Sequence, residues 1–189
     1  MNYQKKHRFD FEIMKKLLLI IVLVLALSVS ISSQNVRGKE IRNRDIEWSD
    51  FSGDVDQSSK HDAYTFWMTT YNFTSPIAHG DNVRISLTVR LFLDSVSWVK
   101  PDKRSARLLN HERGHYRIGR ICANELERVI SSTDFSRYDY RKEIDVLYWK
   151  IIDKYREIND QYDSDTAHYQ NVEQQIFWDR KLESLLNGR

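Results

Sequence analysis

The sequence contains a single cysteine, Cys122, among its 189 residues. One cysteine cannot form an intrachain disulfide, so the fold must be stable through packing and through any metal that it binds. A lipid-modified start of the mature chain is also excluded, because no cysteine follows the apolar run near the N-terminus. We expect Cys122 to be a small buried residue of the core.

Long hydrophobic runs are also scarce. The one run covers the 15 residues from Leu17 to Ile31, which is shorter than the stretch of about 20 that a membrane-spanning helix needs. It follows Lys15 and Lys16 and ends in small serine residues. This arrangement predicts an N-terminal extension and cleaved secretory signal over residues 1–33, or an N-terminal anchor if cleavage does not occur. We therefore expect a secreted or periplasmic protein.

No excess charge of either sign remains after this extension. Residues 1–33 hold five of the 29 basic and two of the 27 acidic residues, so 24 basic and 25 acidic residues follow them. A nearly neutral chain lacks the basic surface that nucleic acids require, so we expect no nucleic-acid partner, and membrane contact only through an uncleaved signal segment. The composition predicts a flexible lead-in over residues 34–45 and a single domain over residues 46–189.

Two segments in the first half of the domain favour strands. Residues 63–74 are rich in aromatic residues and threonine, and Pro76 follows them. Apolar and polar residues alternate from Val83 to Asp94, which predicts one long strand or two in sequence, with one face buried. We expect the two segments to pair as antiparallel neighbours.

The apolar spacing changes to three or four residues in the second half, as is typical of helices. It predicts a helix over residues 105–130, a second through residues 144–158, and a third that begins after residues 163–166 and carries Val172 and Ile176 on its inward face. Strands followed by helices indicate an α+β domain with helices packed on one face of an antiparallel sheet.

The first predicted helix carries the pattern H-E-x-x-H in His111-Glu112-Arg113-Gly114-His115. Residues four apart share a helix face, so His111 and His115 can direct two imidazoles at one Zn²⁺ ion. Glu112 is rotated by about 100° from His111, which places its carboxylate beside the metal, where it can take a proton from a water of lowered pKa. The spacing supports hydrolysis of an amide or ester bond.

Two features of this pattern also have ordinary interpretations. The histidines could be core residues bonded to the backbone, although a pair at this spacing around a glutamate favours metal binding. Gly114 costs about 1 kcal/mol relative to alanine inside a helix. It therefore predicts a close approach by a strand, by a substrate backbone or by a packed helix.

A catalytic zinc site needs a third protein ligand and an open fourth position. We expect His168 to be this ligand, in the first turn of the last helix and pointing inward. Asp163 and Asp165 could accept a hydrogen bond from its second imidazole nitrogen, and these two or Glu173 are the next ligand candidates.

Three tyrosines lie close to the proposed ligands in sequence, namely Tyr116, Tyr162 and Tyr169. Each is a candidate donor to the oxyanion of the transition state. The alternative for each is an ordinary position at the edge of the core.

Four stretches of the chain, 48–53, 97–100, 108–116 and 162–168, resemble the DUF922 family of predicted secreted bacterial zinc-dependent proteases. The resemblance covers nearly the whole chain after the N-terminal extension. It implies a zincin-like fold, a protein or peptide substrate and Glu112 as general base. It also implies the zinc ligands His111, His115 and His168. The chain departs from the family at Tyr169, where a small residue is frequent, and this affects the shape of the pocket.

Three functions are consistent with these patterns. The first is a secreted or periplasmic zinc metallopeptidase in which Glu112 is the general base. The second is a non-catalytic zinc-containing domain of the cell envelope, and the third is a zinc hydrolase of a cell-wall amide. Glu112 favours an enzyme, because a structural zinc site has no use for a base and usually has four protein ligands.

Overall fold

The computed structural model describes residues 37–188. The extension and secretory signal predicted over residues 1–33 lie outside the described residues. None of the helices between residues 37 and 188 combines the length and the apolar character that crossing a bilayer requires.

Three α-helices occupy the C-terminal half of the described chain, in agreement with the helical spacing. The first begins directly after Ser105, whose side chain accepts a hydrogen bond from the Leu108 amide at 3.2 Å, and this cap confirms the predicted start. The helices are α1 (Ala106–Ser132), α2 (Tyr140–Thr166) and α3 (Val172–Leu186).

The described chain also contains two short 3-10 helices, Trp48–Asp50 and Pro101–Lys103, and eight strands, and every pairing between the strands is antiparallel. The segment over residues 63–74 forms two of them, and the alternating segment 83–94 forms two in sequence. Their bounds are β1 (Gly38–Glu40), β2 (Ala63–Tyr64), β3 (Trp67–Phe73), β4 (Ile77–His79), β5 (Asn82–Arg84), β6 (Leu87–Asp94), β7 (Trp98–Val99) and β8 (Phe135–Ser136).

The strands form three small sheets in the orders β1-β6-β3, β2-β7 and β4-β5-β8. The longest pairing joins β3 and β6 from Trp67 opposite Leu93 to Phe73 opposite Leu87, which confirms the predicted antiparallel neighbours. Helix α1 packs against β6 and also contacts α2 and α3. The fold is therefore mixed α+β.

The core lies between α1, the sheet and the other two helices. Ile118, Leu126 and Ile130 of α1 are fully buried there, together with Trp178 of α3. Cys122 is also fully buried, which confirms its expected place in the core, and burial raises the pKa of its thiol to about 12.

The segment expected to be a flexible lead-in is ordered from residue 38 onwards. Strand β1 pairs with β6, Ile41 is buried beside it, and Asp45 forms an ion pair with Arg117 of α1 at 2.5 Å. The sequence did not predict these contacts, because their partners lie far away in the chain and leave no apolar period in the segment itself.

The expected start of the last helix is also corrected. Residues 163–166 end α2 instead of capping α3, and the side chain of Asn171 caps α3 by accepting from the Gln174 amide at 3.2 Å. His168 therefore lies in the turn between the two helices. Val172 and Ile176, expected to face inward, are exposed on α3.

Candidate metal centre

Helices α1 and α2 bring three potential ligand atoms together at one point. The Nε2 atoms of His111 and His115 lie 3.1 Å apart, and Oδ1 of Asp163 lies 3.0 Å from the first and 3.1 Å from the second. Atoms bound to a tetrahedral zinc ion at about 2.0–2.1 Å are about 3.3 Å from one another. The geometry and chemistry of this donor set therefore fit a zinc ion.

Both histidines are held by amide side chains through their other ring nitrogen. Oε1 of Gln175 lies 3.1 Å from Nδ1 of His111, and Oδ1 of Asn159 lies 2.8 Å from Nδ1 of His115. The amide of Gln175 is oriented because its Nε2 donates to Asp179 at 2.8 Å. An amide oxygen accepts from Nδ1–H, which directs the Nε2 lone pair of each histidine towards the metal position.

The three groups also interact electrostatically. Burial lowers the pKa of His115, but the hydrogen bond and charge of Asp163 and the charge of Glu112 outweigh burial and raise this pKa to about 9. Burial raises the pKa of Asp163, but its hydrogen bonds to His111 and His115 outweigh burial and hold it well below its usual range. Asp163 is therefore ionised, and a cation at this position is favoured.

Gly114 leaves room for the phenol of Tyr162. A Cβ atom at Gly114 would lie 2.2 Å from the Tyr162 hydroxyl oxygen, and that hydroxyl donates to the His111 carbonyl at 3.0 Å. Three kinds of close neighbour were expected at Gly114, and the structure shows one of them, a packed helix, which is α2. The glycine allows α2 to come close enough to α1 for Asp163 to reach both histidines.

Glu112 lines a cavity of about 170 Å³ beside the ligand atoms. Its Oε2 accepts a hydrogen bond of 2.6 Å from the hydroxyl of Thr65, which lies between β2 and β3. Both side chains are buried. This hydrogen bond holds the carboxylate in one orientation beside the potential ligand atoms, as a proton acceptor requires.

His168 lines the cavity but does not belong to the group of three potential ligands, His111, His115 and Asp163. Its Nδ1 is 3.2 Å from Oδ1 of Asp163, and its side chain is 46% exposed. The ring of His61 lies against it, with the ring centres 4.5 Å apart. Burial and the neighbouring His168 lower the pKa of His61. The mutually close ligand atoms belong to His111, His115 and Asp163, which lie within 4.8 Å of one another.

The turn that carries His168 is strained. Ala167, His168 and Tyr169 have φ angles of 47°, 50° and 72°, in the left-handed region that non-glycine residues rarely adopt. Arg107 of α1 holds the turn by donating to the Tyr169 carbonyl at 2.8 Å and to the Gln170 carbonyl. The strained turn, held by these contacts, places the side chains of His168 and Tyr169 at the cavity.

The three tyrosine candidates are in different environments. Tyr169 lines the cavity, and its hydroxyl donates to Asp62 at 2.6 Å. Tyr116 and Tyr162 are fully buried, with hydroxyls bonded to the Ile41 carbonyl and to the His111 carbonyl. Burial raises the pKa of both phenols. Only Tyr169 remains a candidate for contact with a substrate.

The acidic candidates are also separated by the structure. Asp163 contacts both histidines, whereas Asp165, two residues further on, accepts from Nε1 of Trp178 at 3.0 Å. Glu173 is exposed in the first turn of α3 and does not line the cavity. Asp163 was expected to support His168 or to be an alternative ligand, and the structure groups it with His111 and His115 as a potential metal ligand.

Sequence analysis did not identify Thr65, Asn159, Gln175 or His61. Each reaches the site from a position that is distant in sequence from the H-E-x-x-H pattern. Polar residues such as Gln175 on the buried face of a predicted helix are the one signal in the sequence that could have identified a member of this group.

The chain matches the family model described as "Bacterial protein of unknown function (DUF922)" over residues 32–169. No curated protein and no solved structure matches the chain. The matched range includes the H-E-x-x-H pattern and Asp163 and ends at Tyr169, so α3 with Gln175 lies outside it. Because the match covers most of the chain, the protein belongs to the DUF922 family of bacterial proteins.

Proposed function

We propose that the protein is a secreted or periplasmic zinc-dependent peptidase with Glu112 as general base. The observation that supports this best is the joint placement of a three-atom ligand group and a carboxylate oriented by Thr65 in one cavity. Zn²⁺ is the proposed cofactor, and a protein or peptide is the proposed substrate. Export rests on the predicted signal over residues 1–33.

His111, His115 and Asp163 would hold the metal. Gln175 and Asn159 keep the two imidazoles oriented before the metal arrives. A bound zinc ion supplies polarisation of a carbonyl and a lowered pKa for a water molecule. The role of His168 then differs from the predicted one, because its contact with Asp163 places it beside the ligand group.

The chain's own residues would carry the proton transfer. Glu112 would accept a proton from the water molecule whose oxygen attacks the amide carbonyl carbon, and would return it to the amine nitrogen as the C–N bond breaks. The hydrogen bond from Thr65 keeps the carboxylate of Glu112 in a fixed orientation. Tyr169, at the rim, is the remaining donor candidate for the oxyanion.

A structural zinc site is the less favoured alternative. Such a site usually has four protein ligands and no base beside it. Within residues 37–188 the close ligand group has three members, and Glu112 lies next to it. The arrangement therefore supports a catalytic site over a structural one.

The test compares the wild type with Glu112→Gln and, as a matched control, with Glu157→Gln on the exposed face of α2. Each protein is incubated with zinc, dialysed and analysed for metal by mass spectrometry. Cleavage of oxidised insulin B chain is followed by peptide mass mapping. We expect about one zinc per chain in all three proteins. Hydrolysis should fall at least about 100-fold in Glu112→Gln alone.

Two results would contradict the proposal. A wild type that retains no zinc after dialysis would remove the metal on which the reaction depends. Cleavage that continues unchanged in Glu112→Gln would show that this carboxylate is not the base.

A further inference from the structure

A second groove continues from the metal cavity along the sheet. It has a volume of about 540 Å³ and lies between β3 and α2. Tyr64, Thr65, Asn159 and Asp163 line both the groove and the cavity. A molecule bound along the groove could therefore extend into the cavity, where it would reach the potential ligand atoms and Glu112.

One wall of the groove is a free strand edge. Within residues 37–188, β3 pairs only with β6, at the end of the sheet order. The Phe66 carbonyl accepts from the Asp94 amide at 2.8 Å, so the backbone of this residue faces β6. Because facing alternates along an antiparallel strand, the backbone groups of Trp67 and Thr69 point away from β6, towards the groove.

Helix α2 closes this edge beyond Thr69. The hydroxyl of Tyr148 donates to the Thr69 carbonyl at 3.1 Å, and the hydroxyl of Tyr71 donates to Asp145 at 2.7 Å. The open part of the edge is therefore the part next to the metal cavity. Its available main-chain groups are the amide and carbonyl of Trp67 and the amide of Thr69.

The side chains of the groove are mostly apolar, with one cation at the rim. Trp149 is 52% exposed and Phe66 is 42% exposed, and both line the groove with the buried Ile152. The guanidinium of Arg156 lies 5.6 Å from the centre of the Trp149 ring. Exposed aromatic rings in a groove are typical of a surface that binds another molecule.

We infer that an extended peptide occupies this groove, with its main chain paired to Trp67 and an apolar or aromatic side chain against Trp149. The inference rests on the proposed function, because the bond to be cleaved must pass through the adjoining cavity. A free strand edge binds the main chain of any sequence, while pockets beside it select side chains. The substrate class is thus an unfolded or extended segment with large apolar residues near the cleaved bond.

The main-chain pairing is tested by hydrogen exchange measured by NMR. Zinc-loaded Glu112→Gln protein is compared with and without oxidised insulin B chain. We expect exchange of the Trp67 and Thr69 amides to slow at least about tenfold when the peptide binds. The Met68 amide faces β6 and serves as the internal control, with no change expected.

The side-chain contact is tested with Trp149→Ala, and Tyr138→Ala is the matched control because that tyrosine is 91% exposed away from the groove. Binding of fluorescein-labelled oxidised insulin B chain is measured by anisotropy on the Glu112→Gln background. We expect about tenfold weaker binding for Trp149→Ala and unchanged binding for the control. Circular dichroism checks that both variants are folded.

The outcomes separate this inference from the proposed function. If the wild type cleaves the peptide, but exchange at the Trp67 amide is not slowed and both variants bind the peptide equally, the inferred peptide groove is wrong. The proposed peptidase activity is then still supported. Slowed exchange and Trp149-dependent binding without cleavage by the wild type would support the groove and contradict the peptidase. Absence of binding to the Glu112→Gln protein would overturn the groove.

Discussion

Asp163 contacts three of the four histidines that line the cavity. Its Oδ1 lies within 3.2 Å of ring nitrogens of His111, His115 and His168. Two neighbouring imidazoles already keep it ionised without a metal, as its lowered pKa indicates. At the residue scale Asp163 is therefore our proposed third ligand, with His168 beside it.

We expect Asp163→Ala to weaken zinc binding at least about 100-fold, because removal of one of three ligands leaves two imidazoles to hold the ion. His168→Ala should weaken it about tenfold or less, since this residue acts through Asp163. Competition with a zinc-chelating dye measures both affinities. Asp153→Ala, on the exposed face of the same helix, is the control. If His168→Ala weakened zinc binding more than Asp163→Ala did, the result would support His168 as the third ligand, as the sequence predicts, and contradict Asp163.

Helix α3 contributes to the site although it supplies no ligand of the close group. Gln175 is buried and joins three elements, because it contacts His111 of α1, Tyr162 of α2 and Asp179 of its own helix. The amide therefore orients His111 and links α3 to the packing of α1 on α2. At the scale of the element, α3 acts as a support for one ligand.

We expect Gln175→Ala to weaken zinc binding about 10- to 100-fold, because an imidazole without its outer partner is less well oriented and less basic. Gln174→Ala is the matched control, because Gln174 is the same residue type next to Gln175 on α3 and is not the hydrogen-bond partner of His111. Isothermal titration calorimetry measures the affinities, and thermal unfolding of the metal-free proteins checks the fold. Equal zinc affinity in the two variants would show that His111 needs no support from α3.

At the scale of the whole described chain, ion pairs hold the segment from β1 to Asp50 together and connect its Asp45 and Glu47 to α1. Asp50 is buried and forms ion pairs with Arg44 at 2.6 Å and with Lys39 of β1 at 2.5 Å. The hydrogen bond from Arg44 is the main reason that the pKa of Asp50 lies far below its usual range, and burial opposes it. This cluster fastens β1 and the segment that follows it.

A lowered pKa in the folded state means that Asp50 stabilises the fold above the pKa of an unfolded aspartate, about 3.9. This contribution is lost as the pH falls from that value towards the lower pKa of the folded state, because the carboxylate of the unfolded chain takes up a proton first. We expect Asp50→Asn to lower the free energy of unfolding at pH 7 by about 1–3 kcal/mol and to reduce its decline between pH 5 and pH 3. Urea unfolding at several pH values measures both effects.

Asp54→Asn is the control for this prediction, because Asp54 is an exposed carboxylate close by in sequence. It should leave stability unchanged at every pH. An Asp50→Asn protein with the stability and the acid sensitivity of the wild type would contradict the role assigned to the cluster.

The sequence alone determined the features that depend on local spacing. The α+β class, the antiparallel neighbours β3 and β6, the start of α1 after Ser105 and the shared helix face of His111 and His115 all follow from periods of two or of about 3.6 residues. Zinc, the peptidase activity and export stay predictions, because they rest on the pattern and on a resemblance.

Only the tertiary structure decided which distant residues complete the site. Four residues that contact the H-E-x-x-H pattern lie far from it in sequence. Thr65 comes 47 positions before its partner, whereas Asn159, Asp163 and Gln175 come 44 to 64 positions after theirs. No local period could therefore identify them. The position of His168 depends on three consecutive residues with a left-handed backbone conformation, Ala167, His168 and Tyr169. They separate α2, which ends later than the spacing indicated, from α3, which also begins later. The physical reason is the same in both cases, because helix packing and turn geometry depend on contacts made across the whole chain.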